Sequence, residues 1–559
     1  MRAIKRPSIS VALLLTLAVS ACQQESATTA VEPADVAQHM EPTTTHGDTS
    51  PSGPLASTSH GPVVGTTADN ISVFKGVRYG ADTFTTRFQA PDAPEAWTTP
   101  AMADRFGPAC PQPTFARTSV FKSWIPEDDT GQSEDCLFLN VWTPGLDSKQ
   151  RPVMVWLHGG GFTTGSGSSN AYDGTRLADR GDVVVVTVNH RLNLFGYLYL
   201  DEFGEQFQGS ANAGMMDLVA ALGWVRDNIE NFGGDPDNVL IFGESGGGWK
   251  VSTLMAMDAA VGLFHRAVAQ SGPGLTLMET TEAQPQTEAL LAALEIDAAD
   301  VDQILTVPTE RLVAAFSTLS AEAGGAPGRR PVIDGVHNLR HPFTPAAPEQ
   351  SKDVPLLIGS TQHENSLLMG ARRPELFDLT WEALPAAINT VYPDMDAQAV
   401  IDGYRSLHPQ ISAADLFFEA TTDHGIFGRG SFTLADRKAD QGGAPVYQYY
   451  MTWRSPVEGG KWGAMHALDI GFVFDNVALS ESMSGTGEEQ QALADVMSEA
   501  WLAFARSGDP NHKGLPEWPT YNAETRATMI FDNEPKVVND PRARERAILD
   551  GAATTAGGR

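Results

Sequence analysis

Basic side chains are scarce in this chain. Of its 559 residues only 38 are Lys or Arg, against 69 Asp or Glu, so the formal charge is −31. A surface this negative repels phosphate backbones, and no block of consecutive lysines or arginines offsets it. Nucleic acid is excluded as a partner. Cysteine is scarcer still, with three residues. No cysteine cluster suggests a structural metal, and no metal is expected. Long apolar runs are also missing: Val11 to Val19 is too short to cross a bilayer. Neither an internal linker nor a repeat interrupts the chain. Its length, enough for roughly three or four average domains, therefore reads as one large domain with short ends. With 42% hydrophobic and 19% charged residues the composition is globular, which rules out collagen-like and coiled-coil chains.

The start of the chain has the pattern of an export signal. Arg2, Lys5 and Arg6 precede the apolar run, and Val19-Ser20-Ala21-Cys22 resembles the bacterial lipobox, in which the cysteine takes a lipid. Residues 1–21 are accordingly expected to be a lipoprotein signal peptide, with lipidation at Cys22. A plain secretory signal that carries a cysteine is the alternative. Gln23 is compatible with outer-membrane sorting, so the expected location is an exported bacterial lipoprotein anchored in a membrane. Residues 22–60 hold five acidic side chains past Cys22, no basic ones and no apolar periodicity. They are expected to be a flexible tether. The large domain is expected over 61–550, with a disordered tail over 551–559. Once the leader is removed, Cys110 and Cys136 remain. In an oxidising compartment they can pair with no odd thiol, which would restrict the unfolded chain by about 3.5 kcal/mol; two separate buried thiols are the alternative.

Between the ends, strands alternate with helices. Val153 to Leu157, Val183 to Val188 and Val239 to Phe242 are short continuous apolar runs, as expected of strands buried on both faces of a parallel sheet. Between the second and third, Leu218, Leu222, Val225 and Ile229 recur at helical spacing, and Gly233-Gly234 supplies a stop. Strand, helix, strand predicts an α/β fold with a mostly parallel central sheet flanked by helices. The stretch 274–460 is more helical, including Thr287 to Leu294 and Glu310 to Leu319. It is expected to hold further strands and helices packed over the strand ends.

Two glycine-rich turns follow these strands. Gly243-Glu244-Ser245-Gly246-Gly247 matches G-x-S-x-G. With 53 glycines in the chain the pattern alone is weak. Its context is not, because a strand runs into it and a helix-compatible stretch, Trp249 to Ala259, follows. Such a turn lifts a serine above a sheet. His158-Gly159-Gly160-Gly161-Phe162 stands after the first strand. Glycines allow backbone N–H groups to converge on one point, as stabilising a carbonyl oxygen that gains charge requires. The amides of Gly160, Gly161 and Gly246 would make a three-donor oxyanion hole. Neither turn has the spacing of a phosphate-binding loop.

With these turns the chain resembles the type-B carboxylesterases, the cholinesterase-like α/β-hydrolases that include bacterial p-nitrobenzyl-type esterases. The resemblance runs from about residue 61 to Pro519. It rests on Phe74-Lys75-Gly76-Val77, on Ser133-Glu134-Asp135-Cys136-Leu137-Phe138-Leu139-Asn140-Val141, and on Asn189-His190-Arg191. It rests also on Asn228 to Pro236, on Gln270-Ser271-Gly272 and on Gly463-Ala464-Met465-His466, besides the two glycine turns. It implies the α/β-hydrolase fold with helical insertions over the strand C-terminal ends, a Cys110–Cys136 disulfide, and no cofactor. At Gly246 the family usually carries alanine.

A serine nucleophile needs an imidazole base, and the imidazole needs a carboxylate. His408, His424, His466 and His512 all lie far enough downstream, and spacing does not choose among them. The resemblance points to His466. For the acid, Leu356 to Gly359 reads as a buried strand with Glu364 on the loop just past it, where catalytic groups of parallel sheets gather. The resemblance also points to Glu364, although His363 and Asn365 replace the usual Asp and Gly; Asp334, Asp423 and Asp469 are the rivals. Glu244 and Ser271 match positions that support the catalytic groups from behind. Phe162, Trp249 and Trp124 are candidate pocket residues, Trp124 also fitting an ordinary packed aromatic. The expected protein is a serine carboxylesterase acting on a small ester, with activity declining below about pH 6.5 as the base protonates. A catalytically silent adhesion or ligand-binding protein on the same scaffold, or a specialised xenobiotic ester or amide hydrolase, are the alternatives. No motif bears on oligomeric state.

Overall fold

The apolar runs become strands covered on both faces. A computed structural model describes residues 53–114, 118–126, 130–322 and 330–556. The strands among these are β1 (Leu55–Ser57), β2 (Pro62–Val64), β3 (Thr66–Ala68), β4 (Ile71–Arg78), β5 (Ala101–Met102), β6 (Phe138–Thr143), β7 (Arg151–Leu157), β8 (Val184–Val188), β9 (Gly234–Glu244), β10 (Arg266–Gln270), β11 (Leu356–Thr361), β12 (Val446–Met451), β13 (Ala527–Phe531) and β14 (Lys536–Asn539). Eleven of them form one sheet in the order β14-β13-β12-β11-β10-β9-β7-β8-β6-β4-β3, while β1-β2-β5 makes a small separate sheet. From β8 through β7, β9, β10, β11 and β12 to β13 every pairing is parallel. The antiparallel pairings lie towards the two edges.

Side chains alternate across this sheet. Val153, Val155 and Leu157 of β7 face a layer that includes Leu218, Leu222 and Val225 of the helix Ala213–Asn228. Met154 and Trp156 face the opposite layer, with Trp501 and Phe504 of the helix Glu488–Ser507. Burying one such side chain contributes about 1.5–3 kcal/mol, and β7 is buried almost throughout. The segment 274–460 supplies β11 and β12 together with two helical clusters. One packs the helices Thr280–Ala293 and Thr309–Glu322 around Leu290, Leu312 and Phe316. The other packs Ala397–Leu407 and Ala413–His424 around Tyr404 and Phe417.

Several boundaries differ from the sequence reading. The ordered domain begins before residue 61. β1 pairs with β2 through Leu55 and Val64, Ala56 is buried, and the amide of Ser59 donates to Asn228 Oδ1 at 2.6 Å. A three-residue strand needs only one buried side chain, so polar composition conceals it. The tail expected from Gly551 is helical as far as Ala556, at the end of the helix Ala543–Ala556, because Leu549 and Ala552 are buried against the second helical cluster. β9 starts at Gly234, well before its apolar run, since Gly234 is held in register with Arg151. The helix after Ser245 starts at Gly246 rather than Trp249. Glycines are poor helix formers, but here tertiary packing overrides propensity. Cys22 and the leader lie outside the described residues. Among the described residues no helix is long and apolar enough to cross a membrane.

Cys110 and Cys136 are bonded, with their Cα atoms 5.1 Å apart. The bond matters to the glycine turn after β7. Gln112, two residues from Cys110, donates from Nε2 to Gly165 O at 2.9 Å and accepts from Gly165 N at 2.8 Å. Replacing both cysteines by serine should lower stability by about 2–4 kcal/mol, read as a reduced midpoint in denaturant at unchanged slope. An unchanged midpoint would contradict this role.

Candidate active site

Ser245 sits where β9 ends and the helix Gly246–Leu254 begins, with φ 57° and ψ −120°. Positive φ is strained for a serine and persists only where the surroundings enforce it. Here the Ser245 amide donates to Gln270 O at 2.8 Å, and its carbonyl accepts from Trp249 N at 3.1 Å. The side chain is partly exposed while Glu244, Gly246 and Gly247 on either side are buried. The helix N-terminus beneath it favours developing negative charge.

The turn after β7 packs directly onto this corner. Gly160 and Gly161 adopt φ 85° and 63°, values open to glycine with little strain. A Cβ on Gly246 would stand 2.1 Å from the carbonyl oxygen of Gly161, so the two backbones touch without a side chain between them. Every carbonyl of the turn has a donor. His158 O and Gly161 O accept from Lys250 Nζ at 2.8 and 2.9 Å. Gly159 O accepts from His158 Nδ1 at 2.8 Å, and Gly160 O from the amides of Thr163 and Thr164 at 3.2 and 3.1 Å. In a trans peptide the N–H points opposite to the C=O, so holding the carbonyls of Gly159 and Gly160 fixes the amides of Gly160 and Gly161. Among the described residues those two amides have no acceptor, and both glycines are exposed.

His466 and Glu364 come together from loops 102 residues apart. Glu364 Oε2 accepts a very short hydrogen bond from His466 Nδ1. Its other oxygen, Oε1, accepts from Ser271 Oγ at 2.7 Å and from Thr361 N at 2.8 Å. Glu364 begins a short helix, Glu364–Leu368, rather than lying in an open loop. His363 explains how the two loops are pinned. Its amide donates to Ala464 O at 2.8 Å, and its Nδ1 accepts from Ala464 N at 3.2 Å. The opposite nitrogen of His466, Nε2, lies 3.1 Å from Glu244 Oε1, on the residue before Ser245. Burial alone would lower the His466 pKa, but Glu244 and then Glu364 and Asp469 outweigh it and raise it. Burial pushes the Glu244 carboxyl upward, against the pull of His466.

The rival groups are engaged elsewhere. Asp469 accepts from Tyr449 and Gln270, Asp423 from Tyr404 and Arg542, and Asp334 from the amides of Val336, His337 and Asn338. His408 bonds Glu545, His424 packs on Tyr392, and His512 bonds the carbonyl of Val496. Phe162 lies edge-on to Trp249, ring centres 6.2 Å apart, and to Tyr197 at 5.1 Å. Trp124 is buried edge-on to Phe121 and Tyr172. Among the described residues no group of three or more His, Cys, Asp or Glu is placed to hold a metal ion. Two neighbours had no role in the sequence reading. One is Lys250, whose spacing from Ser245 puts it one turn into the helix. The other is Phe427, whose ring centre is 5.0 Å from that of His466 and which sits in a π-turn, Ile426–Gly430, that no pattern marks.

The model of the carboxylesterase family matches residues 52–548. This chain belongs to the carboxylesterase family. It is 38% identical to the para-nitrobenzyl esterase of Bacillus subtilis (strain 168) over 502 residues, 89% of this chain and 98% of that protein. It is 31% identical to the liver carboxylesterase of Sus scrofa over 520 residues, 86% of this chain and 90% of the other. Among solved structures, a Geobacillus stearothermophilus carboxylesterase superposes with a TM-score of 0.77 at 37% identity, covering 89% of this chain and 99% of that one. The fold is that of the α/β-hydrolases, and the chain is a carboxylic-ester hydrolase.

The raised pKa of His466 moves the pH profile that its expected role as base would give. Hydrolysis that needs His466 uncharged should gain activity with rising pH around a midpoint above the ordinary imidazole value of about 6.5. Glu244→Gln removes a neighbouring negative charge and should move that midpoint downward in a pH series of kcat/KM. A wild-type limb centred at or below 6.5 would contradict the raised pKa.

Proposed function

We propose that this carboxylesterase works through Ser245, His466 and Glu364. Ser245 Oγ attacks the ester carbonyl as His466 Nε2 takes its proton, and Glu364 holds Nδ1–H so that Nε2 is the free nitrogen. The carbonyl oxygen gains charge facing the amides of Gly160, Gly161 and Gly246. Collapse expels the alcohol with the proton from His466 and leaves an acyl-serine. Water, deprotonated by the same imidazole, then attacks the acyl carbon; the bond to Ser245 Oγ breaks, His466 returns the proton to that oxygen, and the acid leaves. The observation that carries this reading is the Glu364–His466 hydrogen bond, which leaves Nε2 turned towards the residue beside Ser245. Glu244 and Ser271 support it, Ser271 by bonding Glu364 and Glu244 by its charge beside the imidazole. Phe162 and Trp249 act as walls of the acyl side. Ser245→Ala should fold with unchanged thermal stability, lose labelling by a fluorophosphonate probe, and lose p-nitrophenyl ester hydrolysis by at least about 10³-fold. Retained turnover would reject the assignment.

The N-terminal pattern supports a second proposal, independent of the catalytic site. The chain is an exported lipoprotein, cleaved before Cys22 and held at the membrane by lipid on that cysteine, with the catalytic domain tethered outside the cytoplasm. In a bacterial host, Cys22→Ser should abolish incorporation of labelled palmitate and release the activity from the membrane fraction. Equal labelling of both forms would overturn it.

A further inference from the structure

Lys250 is a cation with no exposed surface, placed under the glycine turn. Its Nζ donates to His158 O at 2.8 Å and to Gly161 O at 2.9 Å, and lies 5.4 Å from the centre of the Phe162 ring. The groups that face it include Glu244 and the stacked rings of His158 and His190. Burial lowers its pKa to about 7. An amine and an ammonium can each donate two hydrogen bonds, so both forms can hold the two carbonyls.

We propose that Lys250 is a positioning residue of the oxyanion hole, bridging the carbonyls of His158 and Gly161 so that the three-glycine segment between them presents its amides to the reacting carbonyl oxygen. This rests on the serine-esterase reading above. Three consecutive glycines carry more conformational freedom than any other tripeptide, and donors stabilise a charge only when held in place beforehand. Lys250 secures the peptide planes at both ends of the run. The bare Gly246 belongs to the same device. A Cβ there would strike the Gly161 carbonyl oxygen, the atom that Lys250 grips.

The test uses the full chain and a p-nitrophenyl ester. Lys250→Met, close in length but without donors, should lower kcat by about 10- to 100-fold while KM stays within about threefold. The affinity for a trifluoromethyl ketone, which Ser245 converts to a tetrahedral adduct, should fall by the same factor as kcat/KM. Lys250→Gln keeps a donor and should recover part of the loss; it carries the same readouts where the methionine variant does not fold. Gly246→Ala should reduce kcat more in the wild type than beside Lys250→Met, because freeing the Gly161 carbonyl lets the turn give way. A folded Lys250→Met with kcat within twofold of wild type, or with its loss confined to KM, would overturn the proposal. Activity that survives Ser245→Ala would instead overturn the reading beneath it.

Discussion

The contact between two stretches of main chain, at Gly161 and Gly246, governs the arrangement of this site. A glycine turn and a helix start meet there without a side chain between them, and the turn after β7 is set by where β9 ends. That placement is possible because β7 and β9 are parallel neighbours in register, Leu157 opposite Gly243. The sheet thus fixes the distance between the serine and the turn before any side chain is considered. The strain at Ser245, with φ 57°, is the local consequence of turning from strand to helix within one residue.

Electrostatics set the second constraint. Glu244, Glu364 and Asp469 all act on His466, in a region where burial removes solvent screening. Two of the three are restrained by different partners. Glu364 is held by Ser271 and the Thr361 amide, and Asp469 by Tyr449 and Gln270. The bonded carboxylate fixes which ring nitrogen carries the proton, and all three set how readily the ring charges. Glu364 therefore governs both orientation and basicity, while Glu244 and Asp469 act on basicity alone.

How far all this was legible depended on whether a feature is local. The strand β7, the helix Ala213–Asn228 and the turn at Ser245 are written in runs and spacings, because each is built from neighbours in the chain. The resemblance carried the choice of His466 over His408, His424 and His512, since nothing within a few residues of any of them reveals a carboxylate 102 positions away. Local pattern failed where tertiary contact decides. β1 buries only one alanine and leaves its leucine exposed, Gly246 to Gly248 are helical against their propensity, and the last helix continues past Gly551 because the cluster around Tyr404 and Leu549 holds it. Lys250 illustrates the same limit in side chains. A lysine one turn into a helix reads as a solvated residue, and only the carbonyls of another loop make its burial tolerable.

The groups proposed for chemistry and a neighbour of the imidazole come from different layers of the molecule. Ser245, Glu364 and Ser271 stand at or just beyond the ends of β9, β11 and β10, anchored to the sheet. Phe427, against the imidazole of His466, belongs instead to the helical segment 274–460 and sits in a π-turn between the helices Ala413–His424 and Ser431–Asp440. A π-turn inserts a residue without dismantling the helices around it, so it can re-aim an aromatic ring while the strand ends stay where they are. Changes in that segment can therefore alter the surroundings of the His466 imidazole without disturbing its bond to Glu364. Substitutions at the strand ends act on both at once, because the hydrogen bonds that orient the imidazole also hold the loops together.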